Sequence, residues 1–229
     1  MLQLINKKKI YFYLFTFLLI TSILNLNFTE KLKNNFSINS IIVNTKHKDI
    51  NDRILLKLNF LLSQNIFFIN KYNVSSILEN LNYLETFDVK KKLPSSIIVN
   101  AKKTELIAKT YSENNKYFIG QNGKLISSKE MENIINLPTI FGKFEVEDFL
   151  YLKKIILLQK INHKNILRFY SHKTKRWDIY FKNNILLKLP SDNITNSFQL
   201  YNKLQKLDKI RPNMIIDLRI PNRVILKSD

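Results

Sequence analysis

The chain has 229 residues, with 37 Lys and Arg against 18 Asp and Glu, a net charge of +19 and no cysteine. The missing thiols exclude disulfides and thiolate-held metals, and the sparse arginine, the residue of bidentate phosphate and base contacts, speaks against a dedicated nucleic-acid binder. Lysine is abundant alongside Asn, Ile and Phe, as AT-rich coding would write it, so part of the charge belongs on solvated faces, while 45% hydrophobic content suffices for one or two packed domains.

The first element is the uncharged stretch Ile10–Phe28. As a helix it would be roughly 28 Å long, close to the hydrocarbon thickness of a bilayer. Its polar residues Thr21, Ser22, Asn25 and Asn27 gather at the C-terminal end, where headgroups would lie. No A-x-A-like cleavage site follows, so the stretch reads as an uncleaved signal anchor. Lys7, Lys8 and Lys9 precede it and favour a cytoplasmic N-terminus, residues 1–9 forming a short tail. About 200 residues would then lie outside the cytoplasm.

Thr29–Phe36 reads as a polar connector and Ser37–Val43 as a first strand. Asp49, Asn51 and Asp52 open a helix whose Ile54, Leu55, Leu58 and Leu61 repeat at helical spacing. Asn73 or Ser75 is placed to cap a second helix carrying Val74, Ile77, Leu78 and Leu81. Phe87–Lys91 and Ile97–Ala101 read as strands across the turn Leu93-Pro94-Ser95. The order strand, helix, helix, strand, strand predicts a small α+β domain over 36–104.

The remainder, 105–229, reads as a mostly antiparallel β domain with flanking helices. Asn122-Gly123 predicts a type I′ hairpin joining Tyr117–Gly120 to Lys124–Ser127. Leu137–Gly142 reads as a loop, and Glu145–Gln159 as a helix with its acids in the first turn and lysines later, which suits the helix dipole. Trp177, Ile179 and Phe181 share a face with Ile185, Leu187 and Leu189 only if Lys182-Asn183-Asn184 is a three-residue loop with Asn184 left-handed. Asp192 or Asn193 caps a last helix bearing Ile194, Phe198, Tyr201 and Leu204. Met214–Ile220 and Arg223–Lys227 close the chain as a strand pair joined at Pro221-Asn222.

Catalytic patterns do not emerge. His47, His163 and His172 sit in lysine-rich surroundings without metal-ligand spacing and read as surface residues. There is no nucleophile elbow, P-loop or dinucleotide fingerprint, and turns account for Gly120, Gly123 and Gly142. Asp217 and Arg219 alternate on one strand and read as a structural ion pair or a partner contact. Lys90, Lys91 and Lys92 read as a solvated strand end. No catalytic residue, metal or cofactor is expected.

Three motifs carry a resemblance. The run Ser63–Ala108, with Gln64-Asn65-Ile66-Phe67-Phe68, the helix Val74–Leu81 and the strand Val89–Lys92 entering Leu93-Pro94, resembles the POTRA domain of the bacterial cell-division family FtsQ/DivIB. Leu137–Gly142 is similar to a loop of that family. MIIDLRIPNRVIL, with its apolar pair followed by Asp217-Leu218-Arg219 and a final strand, resembles the family's C-terminal signature. The resemblance implies a POTRA-type β-α-α-β-β domain next to the membrane, a C-terminal β domain, and a non-enzymatic divisome scaffold of the bacterial inner membrane. The implied partners are the bitopic proteins FtsB and FtsL; nucleic acid is not expected. A POTRA-bearing secretion or outer-membrane assembly component is the alternative, and would need further repeats or a barrel.

The expected partner site is the edge strand: Arg223, Val224, Ile225, Leu226 and Lys227, with Arg219 beside it. Val224 and Leu226 would face the core, and only Ser228 and Asp229 follow to cover the outer edge. A free, largely apolar edge suits strand addition by an extended partner. Phe87, Asp88, Val89, Lys90 and Lys91 form the second expected surface.

Overall fold

The structure, a computed structural model, describes residues 7–23, 35–131, 136–221 and 223–228. Helix α1 runs Lys7–Ile23, 17 residues, with large apolar side chains exposed along it, Tyr11 by 71% and Phe17 by 66%. Among the described residues no helix is long and apolar enough to cross a membrane. Residues 24–28 of the expected span, most of the connector that follows, and Asn222 of the last expected turn lie outside the described residues.

The chain divides into two compact units, one reaching to Leu81 and including Thr86–Lys103, the other Asn82–Glu85 together with the chain from Thr104 on. In the first, β1 (Ser40–Asn44) is followed by α2 (Lys48–Leu58), α3 (Lys71–Glu79), β2 (Leu84–Lys92) and β3 (Ser96–Lys103). Its sheet has the order β1-β3-β2, with β1 parallel to β3 from Ser40↔Ser96 to Asn44↔Asn100. Helix α2 buries Ile50, Ile54 and Leu58, each four residues from the next, so a single stripe of the helix is buried. Two local expectations change here. The α3 cap is Asn70, which accepts a 2.9 Å bond from the Tyr72 amide and leaves Asn73 and Ser75 inside the helix. The first strand starts at Ser40, because Ser37 forms an isolated bridge with Asn65 instead.

The second unit holds β4 (Leu106–Ser112), β5 (Asn115–Gly120), β6 (Leu125–Ser127), β7 (Thr139–Phe141), α4 (Val146–Leu158), β8 (Ile166–Ser171), β9 (Trp177–Phe181), β10 (Leu186–Lys188), α5 (Ile194–Lys206), β11 (Met214–Asp217) and β12 (Ile225–Ser228). Its sheet has the order β12-β11-β10-β9-β8-β7-β4-β5-β6. Hairpin neighbours pair antiparallel, but β7 lies parallel to both β4 and β8, and β10 parallel to β11. Parallel neighbours need a crossover, which α4 supplies between β7 and β8, and α5 between β10 and β11. Asn202 of α5 donates to the Gln159 carbonyl at the end of α4 over 2.8 Å, tying the two helices together. One core joins Phe149, Leu152 and Ile156 of α4, Phe198 and Tyr201 of α5, and Phe169, Trp177, Ile179, Leu187 and Ile216 of the sheet. Thr139–Phe141, expected within a loop, is a strand between β4 and β8. It is only three residues long, with Ile140 buried and Pro138 just outside it, where a missing donor does no harm.

The turns separate what the residue pairs can do. Asn184 is left-handed at φ 58 and the Phe181 amide bonds the Ile185 carbonyl, the expected three-residue loop. The type I′ turn, however, falls at Glu113-Asn114, both with positive φ, between β4 and β5. At Asn122-Gly123 only Gly123 has positive φ. The Asn122 side chain is committed elsewhere: its amide donates to the Asn82 and Leu84 carbonyls, both at 2.9 Å, and its oxygen accepts from the Lys124 amide. With Thr104, whose amide bonds the Tyr83 carbonyl, it holds Asn82–Glu85 into the second unit.

Candidate functional site

Strand β12 lies at one end of the nine-stranded sheet and, among the described residues, pairs antiparallel with β11 alone, Met214↔Ser228 through Asp217↔Ile225. A bond from the Arg223 amide to the Ile220 carbonyl, 3.2 Å, turns the chain into it. Of the expected partner residues, Val224 packs against the core, while Arg223, Ile225, Leu226 and Lys227 are exposed. Leu226 was expected to share the buried face with Val224; it is 38% exposed, against 40% for Ile225. A strand with one neighbour has cross-strand cover on one side only, so alternation along it is blurred. At the opposite end β6 is only three residues long, a blunted edge.

Arg219 is bound to Asp217. Its Nε donates to both carboxylate oxygens, at 2.8 and 2.9 Å, and its Nη2 to Oδ2. The Arg219 guanidinium holds the Asp217 carboxyl below its ordinary range, against the opposing push of burial. The pair therefore sits at the end of β11 as a fixed fork, with the Arg219 side chain still 37% exposed. Beside it is a feature the sequence did not signal. A groove of about 560 Å³ runs between Asn193, Asn196 and Leu200 at the start of α5 and Leu218, Arg219 and Pro221. Its walls come from two segments about twenty residues apart, which no local pattern joins.

The second expected surface belongs to the other unit, where β2 is an edge strand. Val89 is buried, Phe87 and Asp88 are half-buried, and Lys90, Lys91 and Lys92 are exposed. Asp88 bridges Lys71 at 3.7 Å and Lys90 at 3.3 Å, and Lys91 donates to the Phe67 carbonyl over 3.5 Å. Exposed pairs of this kind contribute little to stability.

Among the described residues no group of three or more His, Cys, Asp or Glu could hold a metal ion. His47 and His163 are exposed. His172 is not simply a surface residue: its Nε2 lies 2.9 Å from Oδ2 of Asp178, which is buried beneath it.

Comparison with known proteins finds similarity to bacterial cell-division proteins. Residues 110–219 match the family model described as cell division protein FtsQ/DivIB, C-terminal. The cell division protein FtsQ of Bradyrhizobium diazoefficiens is 20% identical over 197 residues, covering 84% of this chain and 57% of that relative. FtsQ of Rickettsia prowazekii is 26% identical over 199 residues, 84% of this chain and 73% of the relative. The major extracytoplasmic domain of DivIB from Geobacillus stearothermophilus overlays with a TM-score of 0.34 at 12% identity, covering 47% of this chain and 96% of that structure. Over residues 110–219 the chain is thus similar to the FtsQ/DivIB family of cell-division proteins, and the curated relatives it matches carry the name FtsQ.

Proposed function

We propose that the protein is a non-enzymatic divisome scaffold of the bacterial inner membrane that recruits FtsB/FtsL-like bitopic partners by strand addition to β12. Ile10–Phe28 anchors it with the N-terminus in the cytoplasm, 36–104 is a POTRA domain, and 105–229 carries the partner site in the periplasm. The anchor is supported by the exposed apolar surface of α1 and by its threonines. The Thr16 and Thr21 hydroxyls bond back to the Phe12 and Phe17 carbonyls, each at 3.0 Å, so those groups are satisfied without water. The observation that carries the recruiting role is the single-neighboured β12, with Ile225 and Leu226 exposed at the sheet margin. Unpaired amides and carbonyls give an extended partner its ladder, and alternate side chains give selectivity. The groove beside Arg219 offers the same partner a place to continue past the strand.

Proline substitution separates backbone from side chain, since it removes one donor and leaves most packing in place. Proline placed in turn at 224, 225 and 226 in the full chain should give one variant that keeps its circular dichroism spectrum. That variant should lose at least ~10-fold in affinity for the FtsB-like partner, about 1.4 kcal/mol. Normal binding by every folded variant would move the interface elsewhere, with β2 at Phe87–Lys91 the next surface to probe.

A further inference from the structure

Helix α4 reverses its own pattern at one position. Phe149, Leu152, Ile155 and Ile156 are buried, and Lys153, four residues after Phe149 and three before Ile156, shares their face. On the same helix Leu157 and Leu158 are exposed by 51% and 67%. A cation thus occupies a core-facing position while leucines face water. Such a break in patterning is expected where function overrides stability. Among the described residues Glu105 is the charge that acts on the Lys153 ammonium, without a direct hydrogen bond or ion pair to it. Desolvation lowers its pKa, and Glu105 partly restores it.

Lys153 lines a cavity of about 520 Å³, a size usual for small-molecule sites. Phe149, Ile156 and Phe169 supply apolar lining, and His163, Lys164 and Lys182 join Lys153 in outnumbering the acid Glu105 of the same lining. A smaller cavity of about 260 Å³ shares Lys164 and Lys182 and adds Lys109 and Arg168. We infer that this cavity binds a small amphiphilic anion, its phosphate or carboxylate on Lys153 and its apolar part against Phe149, Ile156 and Phe169. A bare inorganic ion would leave the apolar lining unused, and a neutral amphiphile would leave Lys153, Lys164 and Lys182 with Glu105 alone to balance them in that lining. Two sources offer this chemistry, a lipid headgroup with the start of its chain and a soluble phosphorylated or carboxylated molecule.

The test uses the full chain in non-ionic detergent, titrated calorimetrically with butyl phosphate, inorganic phosphate and butanol. Butyl phosphate should bind saturably at one site, at least tenfold more tightly than either other probe. Lys153→Met keeps the length and helix preference of the side chain and should weaken that binding at least tenfold. Lys154→Gln, at the exposed neighbour, should leave it unchanged. Equal affinity in wild type and Lys153→Met would assign the binding to the general excess of charge and overturn the proposal, as would the absence of saturable binding. Repeating the titration with phosphatidylglycerol in the micelles separates the sources. A tenfold loss of butyl phosphate affinity by competition marks the lipid, and an unchanged affinity marks the soluble ligand.

Discussion

At the scale of single residues, the Asp217–Arg219 fork makes the clearest claim. Asp217 and Arg219 were read as a pair because they were expected to alternate on one strand; β11 ends at Asp217 instead, and Arg219 turns back onto it from the segment beyond. The Arg219 amide also donates to Asp217 Oδ1, at 3.1 Å, so the chain bends back onto the carboxylate just where β11 ends. The folded state holds the Asp217 carboxyl below its ordinary range, so the ionised form is favoured by folding. Its stabilisation is present at neutral pH and is lost as the pH falls through the lowered folded value. Asp217→Asn should therefore cost about 1 kcal/mol near neutrality, a modest figure because Arg219 is partly exposed. The difference from wild type should shrink below the ordinary aspartate range, as urea melts across the acid limb would read.

At the scale of elements, long-range ties decide what local chemistry cannot. The loop at Lys182-Asn183-Asn184 was readable because two apolar sets had to share one face, which fixes both length and handedness. The Asn122-Gly123 turn was misread because the Asn122 side chain answers to carbonyls some forty residues earlier, and Glu113-Asn114 took the left-handed pair without a strong sequence signal. Strand β7 was missed because three residues give no periodicity to read. Its exit explains why a glycine stands there. Gly142 has φ +93, and a Cβ on it would lie 2.1 Å from the Ser171 carbonyl oxygen. That oxygen belongs to the end of β8, which cannot retreat without loosening its pairing with β9, where Ser171 faces Trp177. Gly142→Ala should destabilise the protein by at least ~2 kcal/mol, from backbone strain and steric conflict together. A thermal melt of the purified full chain reads it directly.

At the scale of the whole molecule, the chain forms two compact units, and the grouping of Asn82–Glu85 with the second had no signal in the element patterns. Tyr83 and Leu84 are buried, and Asn122 and Thr104 bond to this segment. A fragment beginning at residue 105 loses the segment and Thr104 and leaves the Asn122 amide without those carbonyls, so it should melt well below one beginning at residue 82. Equal melting points would mean the segment contributes nothing to the second unit. The proposed anchor is tested on spheroplasts. Protease added to spheroplasts should digest the chain from Thr29 on and leave residues 1–28 in the membrane; a shortened soluble form in the periplasm would mark a cleaved signal instead.

The parallel pairing of β10 with β11 has a consequence in time. Because α5 must cross over before β11 can dock, and β12 pairs only with β11, the proposed recruiting edge is among the last parts of the sheet that can form. Until then the growing sheet ends at β10 or β11, whose Leu187 and Ile216 are fully buried in the finished protein. A chain stalled during synthesis would thus offer a sticky surface suited to chaperones and proteases, and no surface suited to the division machinery. Only a chain with β12 in place would carry the proposed recruiting edge.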